Sequence, residues 1–145
     1  MEHKSPTLTV DAIIEIKDKI VLIKRDIEPF KGKLALPGGH VEYGETVESA
    51  AKRETKEETR LNIELTDILG VYSAPKRDTR GHYVSTVFIA KRKSGKLKGA
   101  DDAKEANIYD PNKISEHEMA FDHFKIIEDY LKYKKHKGTY WSTRR

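Results

Sequence analysis

The chain predicts an α+β fold in which helices flank a mixed β-sheet. Three observations carry this. The elements run strands, helix, strands, helix. Residues 7–16 and 82–91 carry strand-like apolar patterns bounded by turn formers. Residues 46–59 contain neither Gly nor Pro and place apolar residues at helical spacing.

Taken in order, Val10, Ala12, Ile14 and Ile16 alternate with Thr9, Asp11, Ile13 and Glu15, the pattern of a half-buried strand. Lys17-Asp18-Lys19 turns the chain into a second strand, Ile20 to Lys24, so the pair reads as a hairpin. Asp26 to Lys33 is a loop containing Pro29 and Gly32. Leu34 to Pro37 is a short strand broken by Gly38-Gly39, and Val41 to Tyr43 continues extended until Gly44 turns. Thr46 is the expected N-cap of the first helix. Asn62 to Tyr72 and His82 to Lys91 read as strands around the polar loop Ser73 to Gly81. Ala106 to Tyr109 is a short strand, ended by Asp110-Pro111-Asn112. Phe121 to Tyr133 is a second helix with Phe124, Ile127 and Leu131 as its core stripe and Asp122 near its positive end.

A length of 145 residues suits one domain, and no repeat or low-complexity linker divides it. The expected organisation is a domain over 1–133 and a basic tail over 134–145. The chain has no Cys, which excludes disulfides and thiolate metal sites. No apolar run approaches the ~20 residues that span a bilayer, and Met1 to Pro6 lacks a signal peptide's apolar stretch. A cytoplasmic location and no membrane partner are the expectation. The net charge is +4, yet Lys132, Lys134, Lys135, Lys137, Arg144 and Arg145 stand in a final segment without acids. The remainder is therefore slightly acidic. With Tyr133, Tyr140 and Trp141, such a tail could bind nucleic acid. A terminus that docks partly on the domain is the preferred reading, and nucleic acid is not an expected partner.

The first helix carries the chemistry. Val47, Ala50, Ala51 and Leu61 follow the spacing of a buried face, and Glu54 and Glu58 fall on that face one turn apart, with Glu57 at its edge. Ionised carboxylates on an apolar line are costly unless they pair or bind a cation. Two readings follow: a solvated helix with pairs such as Arg53 with Glu57, or a helix that holds a metal. What precedes it favours the second. The order strand, glycine loop, acidic helix could bring several oxygens to one place, as a hard cation requires.

The stretch Gly38 to Leu61 resembles the Nudix box. Gly39, Glu45, Arg53, Glu54, Glu57, Glu58 and Leu61 match that pattern in register. Thr55 replaces the usual apolar residue and Arg60 the usual second Gly. Arg60 must adopt positive φ or let the helix run on. Outside the box, Tyr72, Ser73, Pro75, Arg77, Asp78, Arg80, Gly81 and His82 match a loop of the small archaeal and bacterial ADP-ribose pyrophosphatases, while Ala74 and Thr79 depart from it. The resemblance extends from about Thr7 to about Tyr133.

The resemblance implies a Nudix fold, a mixed sheet sandwiched between helices, and a hydrolase acting on a nucleoside diphosphate linked to another group. It implies Mg²⁺, with Mn²⁺ as a substitute, held by Glu54, Glu58, Glu57 and the carbonyl of Gly38. Arg53 would orient Glu57 and Glu45. The proton acceptor is either Glu57 or an acid of the later loop, Asp102 or Glu105; His123 reads rather as structural. Arg25, Arg77, Arg80 and His82 are the substrate-binding candidates, with Asp78 fixing the loop. The implied reaction is ADP-ribose to AMP and ribose 5-phosphate. The alternatives are a nucleoside triphosphate pyrophosphohydrolase that clears modified nucleotides, a non-catalytic nucleotide-binding regulator and an RNA-end hydrolase using the basic tail. A homodimer is expected from the resemblance.

Overall fold

A computed structural model describes residues 3–97 and 105–145. Among these residues eight strands form one mixed sheet: β1 (Thr7–Ile16), β2 (Lys19–Lys24), β3 (Leu34–Ala35), β4 (Gly38–His40), β5 (Asn62–Tyr72), β6 (Tyr83–Ser94), β7 (Ala106–Tyr109) and β8 (Tyr140–Trp141). Two helices, α1 (Val47–Thr59) and α2 (His123–Lys135), accompany them. The strand order is β3-β2-β1-β6-β5-β8, with β4 added to β1 and β7 to β2.

The expected β1–β2 hairpin forms. On its other side β1 runs parallel to β6 from Thr7↔Tyr83 to Glu15↔Lys91. This corrects the half-buried reading of β1. A strand between two partners, with a helix over each face, is buried on both faces. Val10 through Ile14 are all buried, Asp11 included.

Residue parity then divides the core. Val10 packs with Ala50 and Ala51 of α1. Ile13 packs with Leu69, Tyr72, Ile126, Ile127 and Tyr130 beneath α2. Each fully buried Ile contributes about 1.5–3 kcal/mol by leaving water. Asp11 shares the parity of Ile13 and so faces α2.

Helix α1 begins as expected: the Thr46 hydroxyl accepts from the Ser49 N–H at 3.0 Å. It ends with Arg60 at φ 68°, so Arg occupies the left-handed position where the family uses Gly. Arg60 N–H still reaches the Lys56 carbonyl at 2.9 Å, which closes the helix. Thr55 is fully buried; its hydroxyl donates to the Ala51 carbonyl at 2.7 Å while its methyl packs.

Helix α2 keeps the expected Ile127 in the core but buries a wider stripe than expected. His123, Ile126, Ile127, Tyr130 and Tyr133 face inward, and Phe124 and Leu131 lie at the margin. The tyrosines win because each buries its ring and keeps its hydroxyl paired. Tyr130 donates to Glu15 and Tyr133 to Asp67, both at 2.6 Å. The C-terminal segment extends the sheet, with β8 parallel to β5 at Gly70↔Tyr140 and Val71↔Trp141. Among the described residues no helix is long and apolar enough to cross a membrane.

Candidate active site

A cavity of about 280 Å³ opens where β1, β4 and α1 meet the loop after β5 and the start of α2. Its walls differ in charge. Gly38, Gly39, Glu54 and Glu58 form one side. Arg25, Arg77, Arg80, Tyr83 and Phe121 form the other.

On the acidic side, β4 pairs with β1 and brings the glycine pair under α1. The Gly38 N–H donates to Glu58 Oε1 at 2.7 Å. A Cβ at Gly39 would overlap the Glu54 carboxylate, and one at Gly38 would strike the Val10 carbonyl. Gly38 is therefore required by backbone approach, whereas a side chain at Gly39 would displace the Glu54 carboxylate. Arg53 ties this wall together. It forks onto Glu45 at 2.7 and 3.0 Å, donates to Glu54 at 2.8 Å and reaches the His40 carbonyl at 3.0 Å. Glu57 is a looser partner, 3.5 Å away with its side chain 59% exposed. Arg53 thus orients Glu45 and Glu54 more than Glu57. Its hydrogen bonds hold Glu45 down to about 2 and raise its own pKa.

Glu54 and Glu58 stand on consecutive turns of α1 and line one cavity with the Gly38 backbone. Those oxygens fit a hard cation that keeps several waters and takes further ligands from a phosphate. Among the described residues no group of three or more His, Cys, Asp or Glu forms a ready-made metal cage. A cation that relies on few protein ligands needs none.

On the basic side, Arg77 lines the cavity but forks onto Asp122 at 2.9 and 2.8 Å. Asp122 therefore anchors the loop instead of capping α2, for which it makes no side-chain bond. Asp78 accepts from Arg80, both backbone and side chain, and fixes the loop as expected. The Arg80 guanidinium lies 5.1 Å from the Tyr83 ring and 5.5 Å from Phe121. Arg25 lies 4.9 Å from the Phe121 ring and donates through Nε to the Pro29 carbonyl at 2.7 Å. Its second terminal nitrogen is buried and has no hydrogen-bond partner among the described residues. A buried guanidinium donor without an acceptor is costly, so this atom suits an anionic ligand in the cavity.

His82 lies elsewhere. Its Nε2 donates to the Ser73 carbonyl at 2.9 Å and closes the base of the loop. Glu105 borders a separate groove with Lys24, Lys33, Tyr109 and His117. Asp102 falls outside the described residues. The sequence reading missed Asp11, which lies on the cavity floor and accepts from Ser85 at 2.5 Å. Burial pushes Asp11 up to about 7. His123 stands 3.9 Å from it, accepts the Leu36 N–H at 3.0 Å through Nδ1, and is held by burial near 4. Its structural reading is thereby supported. The signal for Asp11 was the unbroken apolar run Ala12-Ile13-Ile14 beside it, which marks two-sided burial.

Comparison with known proteins agrees with this geometry. The NUDIX domain model matches residues 5–130. The chain is 56% identical over 129 residues to an ADP-ribose pyrophosphatase of Methanocaldococcus jannaschii, covering 89% of this chain and 75% of that protein. A crystal structure of a NUDIX hydrolase from Nitrosomonas europaea superposes with a TM-score of 0.79 at 27% identity, covering 97% of this chain and 78% of that one. The NUDIX domain of Shewanella oneidensis NrtR, solved as a complex with ADP ribose, superposes with a TM-score of 0.72 at 26% identity, covering 90% and 89%. With Gly39, Glu54 and Glu58 on one cavity and the family model spanning nearly the whole chain, this protein belongs to the NUDIX domain family.

Proposed function

We propose that the protein is a Mg²⁺-dependent pyrophosphohydrolase that cleaves ADP-ribose to AMP and ribose 5-phosphate. One observation carries the reading: a single cavity joins a carboxylate pair to a guanidinium with an unpartnered buried donor. A pyrophosphate needs both poles. The identity to the M. jannaschii enzyme supports ADP-ribose as the particular diphosphate.

Glu54 and Glu58, with the Gly38 carbonyl and Glu57 one residue before Glu58, would hold the cation. When bound, a divalent cation stabilises charge on phosphate oxygens and lowers the pKa of bound water. Arg53 keeps Glu54 aimed. Arg25 and Arg80 receive phosphate oxygens, and the Tyr83 and Phe121 faces offer stacking surface. Glu57 is the proposed proton acceptor, with Glu105 and Asp102 as the alternatives from the later loop. Mn²⁺ would substitute for Mg²⁺, both being hard octahedral cations. A cytoplasmic homodimer is the proposed setting.

The test is incubation with ADP-ribose, nucleoside triphosphates and capped RNA in Mg²⁺. AMP and ribose 5-phosphate should accumulate from ADP-ribose, and chelation should stop turnover. Glu54→Gln should lower kcat by about 10²–10³. Cleavage of a triphosphate without turnover of ADP-ribose would select the nucleotide-clearing alternative. Binding without cleavage of any substrate would select the regulator.

A further inference from the structure

The loop that carries Arg77 and Arg80 is not held by its own residues alone. It starts at Ser73, just beyond β5, where the C-terminal segment crosses. The Ser142 hydroxyl accepts from both the Ser73 N–H at 2.8 Å and the Ala74 N–H at 3.1 Å. The approach is built in: a Cβ at Gly70 would collide with the Tyr140 carbonyl, so β8 can dock there only against glycine.

The far end of the segment is tied as well. Arg144 lies 4.4 Å from the Tyr140 ring and 5.3 Å from Trp141, and donates to the Thr139 carbonyl. The Arg144 carbonyl accepts from Lys125 of α2 at 3.2 Å. Lys125 also pairs with Asp129 at 2.8 Å, and Asp129 accepts from Tyr72 at 2.8 Å. Helix α2 in turn is preceded by Asp122, which grips Arg77. Loop, helix and C-terminal strand thus close a ring, and Ser142 is its link to the loop.

We propose that Ser142 is a positioning residue for substrate binding, and that the C-terminal strand is a strap holding the arginine loop at the cavity. The basic segment serves the site through one hydroxyl, not through its charge. The proposal rests on the reading of the cavity as the diphosphate site.

The experiment uses the full chain with Ser142→Ala, Ser142→Thr and Thr143→Ala. Amide exchange at Ser73 and Ala74 is followed by NMR without ligand, and KM and kcat are measured with ADP-ribose. Losing the shared acceptor should speed exchange at both amides by about tenfold. Ser142→Ala should raise KM several-fold with kcat within about twofold. Ser142→Thr, which retains the hydroxyl, should restore both. Thr143→Ala, an exposed neighbour, should change neither. Unchanged exchange, faster exchange at unchanged KM, or a loss confined to kcat overturns the proposal. If the wild-type protein does not turn over ADP-ribose, the substrate reading fails by itself, and the strap is then judged from the exchange data and the affinity for Mg²⁺–pyrophosphate.

Discussion

The two walls of the cavity are assembled differently. The acidic wall comes from one stretch, Gly38 to Glu58, in which strand β4 and helix α1 follow one another closely. The basic wall comes from Arg25 after β2, Arg77 and Arg80 between β5 and β6, and Phe121 before α2. On the acidic wall, a neighbour one residue away aims Glu54. On the basic wall, Arg77 and Arg80 are held by Asp122 and Asp78, whereas Arg25 keeps a buried donor without a partner. The difference teaches that an acidic pole can be encoded locally, while a basic pole depends on docking segments remote in sequence. It also separates cations whose charge is already partnered from one that waits for an anion.

The comparison can be broken most sharply at Gly39. Gly39→Ala pushes on the Glu54 carboxylate, a flexible side-chain end, and leaves the fold intact. Since a displacement of about 1 Å can cost about a hundredfold, kcat should fall by about that factor at unchanged thermal stability. Steady-state kinetics beside a melting curve checks both halves. Unchanged kcat would mean that the close approach of glycine and carboxylate has no bearing on the reaction.

The floor joining the walls offers the next test. Burial holds His123 near 4, below its ordinary 6.5, so the unfolded chain binds more protons between those values. The histidine's contribution is full above pH 6.5 and is lost as pH falls toward 4. Asp11, raised to about 7, pulls the opposite way, so a difference measurement is needed. The stability advantage of wild type over His123→Asn should shrink by roughly 2–3 kcal/mol from pH 7 to pH 4. Denaturant titrations at the two pH values measure it.

The arginines should then separate by their pairing. Arg25→Ala should raise KM for ADP-ribose by about tenfold, the value of a charged hydrogen bond to an anion. Arg80→Ala should raise it by only about threefold, because Asp78 already shares that guanidinium. Equal effects would erase the distinction between partnered and unpartnered cations.

The smallest effect belongs to Arg60, at the end of the acidic helix. Arg60→Gly should relieve the left-handed strain and raise stability by about 0.5 kcal/mol, a shift of roughly 1–2 °C, with kcat unchanged. Calorimetry and initial rates suffice to check it.

Wherever a pattern is local, the sequence was legible. Strand β1, strand β5, the Thr46 cap and the order of elements follow from alternation, helical spacing and one hydroxyl. The acid cluster was legible for the same reason: residues one turn apart share a face whatever surrounds them. Asp11 was misread because alternation describes one sheet face; the run Ala12-Ile13-Ile14 hinted at burial on both, and the parallel pairing with β6 shows it. The α2 stripe was read only in part: Ile127 is buried as expected, but hydrophobicity alone ranks Phe124 and Leu131 above the tyrosines. Glu15 and Asp67, distant in sequence, supply the acceptors that let Tyr130 and Tyr133 be buried.

By itself, then, the chain order of residues determined the acidic helix, the glycine pair ahead of it and the family. The tertiary structure alone decided which arginine is left to bind an anion, which buried acid and imidazole meet on the cavity floor, and that a C-terminal serine reaches the substrate loop. The physical reason is range. Helical and strand periodicities act over a few residues and can be read from spacing, whereas ion pairing, two-sided burial and strand docking depend on what the folded chain places alongside.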